Sequence, residues 1–173
     1  MDIGFRLAES FRDRDKLSKF LLSQPLGYPN YGDWVERAIE ELNLGYKQSI
    51  LGFYNGALVS DLVFQPSKDF PTLLCELKNG RTHERIRRDY FLRFSIRTVE
   101  RLAGEQGYQA MICDTRSDNL GVVDLLKSSG YSELLRVPLY EQNVEDVVFV
   151  KKLVRGDNDL LVPVKNKIIS KAA

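Results

Sequence analysis

One histidine, two cysteines and a formal charge of +1 are all that this 173-residue chain offers to several kinds of chemistry, and each scarcity excludes something. A single imidazole, His83, and two separated thiols, Cys75 and Cys113, cannot supply the ligand sets that zinc requires, so no metal site is expected. Two cysteines cannot build a disulfide framework either. Both fall in apolar, strand-like runs where a reduced core thiol is the usual occupant, which points to a reducing, cytoplasmic compartment. With 25 basic and 24 acidic residues, the chain has no global field to gather nucleic acid or an anionic membrane. No run approaches the ~18 apolar residues of a membrane-spanning helix. The segment MDIGFRLAES is charged too early for a secretory leader.

What is present suits one folded domain. Apolar residues make up 43% of the chain and charged residues 28%, far from the composition of disorder, and the length is enough to close one hydrophobic core. No Pro- or Gly-rich linker divides it. A domain over residues 1–154 is expected, followed by an extension over 155–173. The apolar run from Val162 to Ile169 in that extension reads as an extra strand, a segment that packs on a partner or a frayed tail, so a homodimer stays open.

Hydrophobic periodicity orders the elements. Residues 3 to 8 read as a strand, with a helix from Asp13 or Asp15 to about Gln24. Pro25, Gly27 and Pro29 then break the chain. Asp33 reads as the cap of a second helix whose Trp34, Val35, Ala38, Ile39 and Leu42 recur at helical spacing. Asn55-Gly56 between SILGFY and ALVSDLVF is a hairpin signal, because both central residues of a type I′ turn need positive φ. FPTLLCEL reads as a buried fourth strand. Asn79 to Gly107 reads as one long helix with Ile86, Tyr90, Phe94, Val99 and Leu102 toward the core. AMICD is a fifth strand, DNLGVVDLLKSSG a short helix capped by Asp118 or Asn119, and YSELLRVPLY and DVVFVKKLV are closing strands. The fold class is therefore α/β (α+β), a central mixed sheet of about seven strands in the order βααβββαβαββ, with helices on both faces.

One local cluster stands out. Arg81, Arg85, Arg87 and Arg88 lie with His83 within eight residues, placed at the start of the long helix. Guanidinium groups there could bind a diphosphate, or they could be a solvated face paired with Glu84 and Asp89. His83 could serve as a base toward an amine, histidine being the side chain whose proton exchange falls nearest neutral pH, or it could be incidental. The stripe Arg93, Arg97 and Arg101 reads as the solvated helix face, and a nucleic-acid module built on it lacks interleaved aromatics.

The order of elements and two local phrases resemble the GNAT superfamily of acetyl-CoA-dependent N-acyltransferases. NLGVVDLLKSSGY, from Asn119 to Tyr131, is similar to that family's N-x-x-A-x-x-L-Y-x-x-x-G-F, with Asn119, Val122, Leu125, Gly130 and Tyr131 in register. LAGEQGYQAMICDT resembles the end of its long helix and its fifth strand. The resemblance implies acetyl-CoA or another acyl-CoA as co-substrate and a small-molecule or protein amine as acceptor. It also implies Glu76 as a carboxylate base and Asn119 as a cofactor contact. Backbone amides from Leu73 to Leu77 would hold the acyl-pantetheine end. Arg87 to Leu92 fall on the pyrophosphate phrase R-G-x-G-x-G/A, so that Arg85, Arg87, Arg88, Asp89 and Tyr90 become candidate cofactor residues. The phrase's glycines are absent, and Tyr90 and Leu92 would crowd the backbone. Leu126 replaces the tyrosine that in many family members protonates the departing thiolate. A non-catalytic member that keeps the fold to bind a CoA-type ligand or a protein is the alternative these departures imply.

Overall fold

The computed structural model describes residues 2–25, 30–86, 89–154 and 160–172. Along the chain run β1 (Ile3–Leu7), α1 (Phe11–Ser23), α2 (Tyr31–Asn43), β2 (Gln48–Tyr54), β3 (Ala57–Pro66), β4 (Leu74–Thr82), a 3-10 turn (Glu84–Ile86), α3 (Asp89–Glu105), β5 (Ala110–Arg116), α4 (Leu120–Ser128), β6 (Ser132–Val137), β7 (Asp146–Lys152) and α5 (Leu161–Ala172). The seven strands form one mixed sheet in the order β1-β2-β3-β4-β5-β7-β6. Adjacent strands are antiparallel at β1/β2, β2/β3, β5/β7 and β6/β7, and parallel at β4/β5. The chain divides into two compact units, residues 1–65 with 78–99, and residues 66–77 with 100–173, so β4 and α3 contribute to both.

In the first unit, Ser10 rather than an aspartate opens α1. Its Oγ accepts the Asp13 N–H at 3.0 Å, as a short hydroxyl at the cap position does. The sequence placed this helix two to four residues too late. Asn30, not Asp33, precedes α2, in the left-handed conformation (φ 54°) and without a side-chain cap bond. The hairpin is as expected: Asn55 at φ 48° and Gly56 at φ 79° turn β2 into β3. Leu17 and Leu21 of α1, Val35 and Leu42 of α2, and Leu51 and Phe53 of β2 form one core cluster. Each such buried side chain contributes about 1.5–3 kcal/mol.

The opposite face of the same strands takes the first turns of α3. A Cβ built on Gly52 would sit 3.0 Å from Phe91, and one built on Gly80 would sit 2.8 Å from Leu92 Cδ1 and 2.9 Å from Leu62 Cδ1. Two glycines thus let a helix approach the sheet. Gly80→Ala is expected to lower stability by about 1–3 kcal/mol through overpacking, read as a shifted urea midpoint with an unchanged slope.

β4 and α3 depart most from the sequence reading. Asn79 to Thr82 continue β4, and α3 begins at Asp89, ten residues later than the long helix assigned from Asn79. The phase changes with it. Phe91, Ser95, Ile96, Val99 and Ala103 are buried, whereas Tyr90 and Phe94 are exposed.

In the second unit, Leu74, Ala110, Ile112, Val148 and Val150 make an apolar sheet face covered by Val164, with Leu161 and Ile168 beside it. Leu161–Ala172 is a helix, α5, where the apolar run from Val162 to Ile169 had left open an extra strand, a segment packing on a partner or a frayed tail. The helix α4 ends at Ser128, and Gly130, at φ 87°, turns the chain into β6.

Candidate active site

Glu76 stands third in β4 and pairs with Ile112 in the parallel ladder Leu74↔Ala110, Cys75↔Met111, Glu76↔Ile112. Paired residues share a face and alternate residues along a strand share it too. Glu76 is thereby a half-buried carboxylate bordering the apolar Leu74, Ala110 and Ile112 cluster. The next residue of β5 on that face is Asp114, whose Oδ2 accepts the Tyr140 hydroxyl at 3.0 Å. The segment bearing Tyr140 is fixed from below, because buried Asp146 accepts the Leu139 N–H at 2.9 Å. The run FPTLLCEL put Glu76 near the end of its strand; it lies near the start of β4, which continues to Thr82.

Of the amides proposed for an acyl-pantetheine arm, those of Leu73 and Leu74 already donate to Phe70 O, at 3.1 and 2.9 Å. The amides of Cys75 to Leu77 lie within β4, whose neighbours in the sheet are β3 and β5, and the Leu77 side chain is buried.

The arginine cluster separates into parts. Arg81 lies within β4 and is 7% exposed, so it is not a surface cation. His83 is half-buried. Its N–H donates to Val59 O at 2.7 Å, and its Nδ1 accepts the Arg85 N–H at 3.2 Å, leaving Nε2 as the nitrogen able to face a ligand. Glu76 and His83 belong to different compact units. Arg85 is exposed in the 3-10 turn before α3. Arg87 and Arg88 lie outside the described residues, as does the side chain of Asp89. Tyr90 is 74% exposed at the first turn of α3. Leu92 instead packs against Gly80, so of the two residues expected to crowd a phosphate, Leu92 is turned into the sheet.

Asn119 occupies the N-cap position of α4 without a side-chain cap bond. Its Nδ2 approaches Thr115 Oγ1 at 3.5 Å, and its carbonyl accepts Val122 and Val123 N–H at 3.1 and 3.0 Å. The side chain is exposed beyond the end of β5. Leu126 is 4% exposed and belongs to the core. Burial pushes the Cys75 thiol up to about 12 and raises Cys113 well above its ordinary value, so both thiols stay protonated and neither is an activated nucleophile.

A buried polar group centred on Asp61 went unseen in the sequence. Asp61 is fully buried. Its Oδ2 accepts Asn79 Nδ2 at 2.8 Å, and Oδ1 lies 3.5 Å from Arg81 Nε. Arg81 also donates to Asn79 Oδ1 at 2.7 Å, to Leu21 O at 3.3 Å, to Gln24 O and to the Tyr31 hydroxyl. One guanidinium thus ties the end of α1 and the start of α2 to the sheet. Burial, partly opposed by Arg81 and Asn79, pushes the Asp61 carboxyl up to about 7. The only signal in the sequence was a carboxylate inside the apolar run ALVSDLVF.

No family model matches the chain, and no curated protein matches its sequence. Solved structures do match its fold. A GNAT-family acetyltransferase from Streptococcus pneumoniae superposes with a TM-score of 0.70 at 15% identity, over 87% of this chain and 99% of that one. The ribosomal-protein-S18-alanine N-acetyltransferase of Escherichia coli gives 0.71 at 13% identity, over 91% and 98%. An aminoglycoside 6′-N-acetyltransferase complexed with coenzyme A gives 0.72 at 14% identity, over 91% and 100%. The seven-stranded order, the parallel β4/β5 pair and these superpositions agree, and the chain has the fold of the GNAT acetyltransferases.

Proposed function

We propose that the protein is an acyl-CoA-dependent N-acyltransferase acting on an amine. The observation that carries this reading is the placing of Glu76. It is a half-buried carboxylate at the parallel β4/β5 ladder, on the same face as the hydrogen-bonded Asp114–Tyr140 pair, in a fold whose solved neighbours include an acetyltransferase complexed with coenzyme A. In the reaction, the amine nitrogen attacks the thioester carbonyl carbon and the C–S bond breaks. Glu76 accepts the amine proton, directly or through water, and the thiolate leaves. Leu126 has no proton to give, so the thiolate takes its proton from solvent and positioning carries more of the catalysis.

The chain's residues fit a CoA phosphate in a particular way. The 17-residue α3 begins at Asp89, its N-terminal end carries the positive pole of the helix dipole, and exposed Arg85 stands just ahead of it. Side chains there take the place of a glycine-lined backbone cradle. The carboxylates Glu76 and Asp114 favour a protonated amine at encounter, although the neutral amine is what attacks.

Incubation of the purified protein with acetyl-CoA and a panel of small amines and N-terminal peptides tests the reading. Free thiol is expected to appear with at least one amine. A folded protein that binds CoA yet releases no thiol across acyl-CoA and amine panels would support the second reading, a non-catalytic CoA-binding protein, which buried Leu126 favours.

A further inference from the structure

The first unit holds an open pocket of ≈ 560 Å³ that none of the residues discussed for acyl transfer lines. Its floor is formed where β1 and the β2–β3 turn carry glycine. A Cβ built on Gly4 or on Gly56 meets nothing within 4 Å, so these positions open onto free space. One wall is the paired strand residue Phe53, opposite Gly4 in the β1/β2 ladder. The other is the first turns of α1, where Arg12 and Lys16, four residues apart, share a helix face.

The charge presented to this space is positive. Of the two carboxylates in the lining, Asp13 is 7% exposed and already holds Arg6 Nη2 at 2.7 Å. Burial pushes its carboxyl up, but hydrogen bonds from Arg6 and Ser10 together with the charges of Arg6 and Lys16 outweigh this and hold it below the usual range. Arg6 is thereby fixed with its guanidinium 4.3 Å from the centre of the Phe53 ring, and Lys16 Nζ lies 5.7 Å from the same centre. Aromatic packing and the ion pair therefore pre-orient two cations and Arg12 adds a third; with Asp13 and Asp2 as the opposing carboxylates, the lining keeps a net positive charge. Volumes of this size are common for small-molecule sites, in which a few fixed polar groups set orientation. Guanidinium and ammonium groups in one wall select carboxylate or phosphate.

We propose that this pocket binds a small organic anion, through a phosphate or carboxylate held by Arg6, Arg12 and Lys16 with its remainder over Gly4 and Gly56. The test is an amide-resolved NMR titration of the full chain with three probes, inorganic pyrophosphate, AMP and citrate, at millimolar concentration. Saturable shifts at Gly4, Gly56 and Arg12 are expected with at least one probe, and whether phosphates or citrate produce them identifies the anion's source. Gly4→Val places a side chain into the pocket at a position with free space and a strand conformation, and is expected to abolish those shifts while leaving the spectrum of the folded protein intact elsewhere. Arg12→Ala combined with Lys16→Ala is expected to weaken the same binding at least tenfold while the spectrum of the folded protein is kept, Arg12 being exposed and Lys16 half-buried. The proposal is overturned if no probe shifts those amides, if spermidine shifts them and the anions do not, or if the shifts persist unchanged in Gly4→Val.

Discussion

Replacing Arg81 by methionine is expected to destabilise the protein by about 3–5 kcal/mol at about pH 8, the usual consequence of removing one partner from a buried ion pair. Asp61 is fully buried beside it, and once the cation is gone the carboxylate must take up a proton or stay charged in a dry site. The size of the loss depends on pH, with a sign that can be worked out. The carboxyl titrates near 3.8 in the unfolded chain and at about 7 in the folded one. Between those values the folded state keeps a proton that the unfolded state has released, so the contribution of Asp61 to stability is highest below about pH 4. It falls as pH rises to about 7, by up to about 4 kcal/mol, and is constant above that. Asp61→Asn removes this slope. At about pH 5 the folded wild type is already protonated at Asp61, so Arg81→Met there loses hydrogen bonds to Gln24 O, Leu21 O, Asn79 and Tyr31 but strands no charge, and its cost is smaller. Urea unfolding of wild type, Arg81→Met and Asp61→Asn across this range measures all three. A loss in Arg81→Met that does not grow with pH would mean the two groups are not coupled as their geometry implies.

Glu76→Gln is expected to lower the turnover number for acyl transfer by about 10²- to 10³-fold, the usual contribution of a positioned general base. Acyl-CoA binding should be little changed, since glutamine keeps the size and leaves the β4/β5 ladder intact. His83→Gln is the comparison. With Nδ1 already bonded to the Arg85 amide, a change there acts on the turn before α3, and the expected effect falls on the Michaelis constant for acyl-CoA more than on turnover. Equal turnover in wild type and Glu76→Gln would remove Glu76 from the mechanism.

Much of the architecture was legible because local chemistry and tertiary structure agree at particular residues. Asn55-Gly56 had to be a turn, since both adopt positive φ, and the parallel neighbours β4 and β5 followed from a helix between two apolar strands. Reading failed where a segment's character is set by contacts distant in sequence. Asn79 and Arg81 look helical and solvent-facing in isolation, yet they are buried strand residues because Asp61, eighteen residues before Asn79, supplies the partner. The face of α3 was misjudged for a related reason: its phase is set by Phe91 and Leu92 fitting against Gly52 and Gly80, a match that no helical period reveals. Within the candidate site, Glu76 was singled out through resemblance. Asp114 and Tyr140 were not, because only the β5 register and the loop anchored by Asp146 bring them to the same face.

The most direct test of acyl-CoA as co-substrate is a calorimetric titration of the full chain with acetyl-CoA at fixed salt. Saturable binding with one site per chain is predicted. It should weaken about tenfold or more in Arg85→Ala, one charge-assisted hydrogen bond being lost. Absence of any heat of binding at millimolar acetyl-CoA, with the protein folded, would contradict the account.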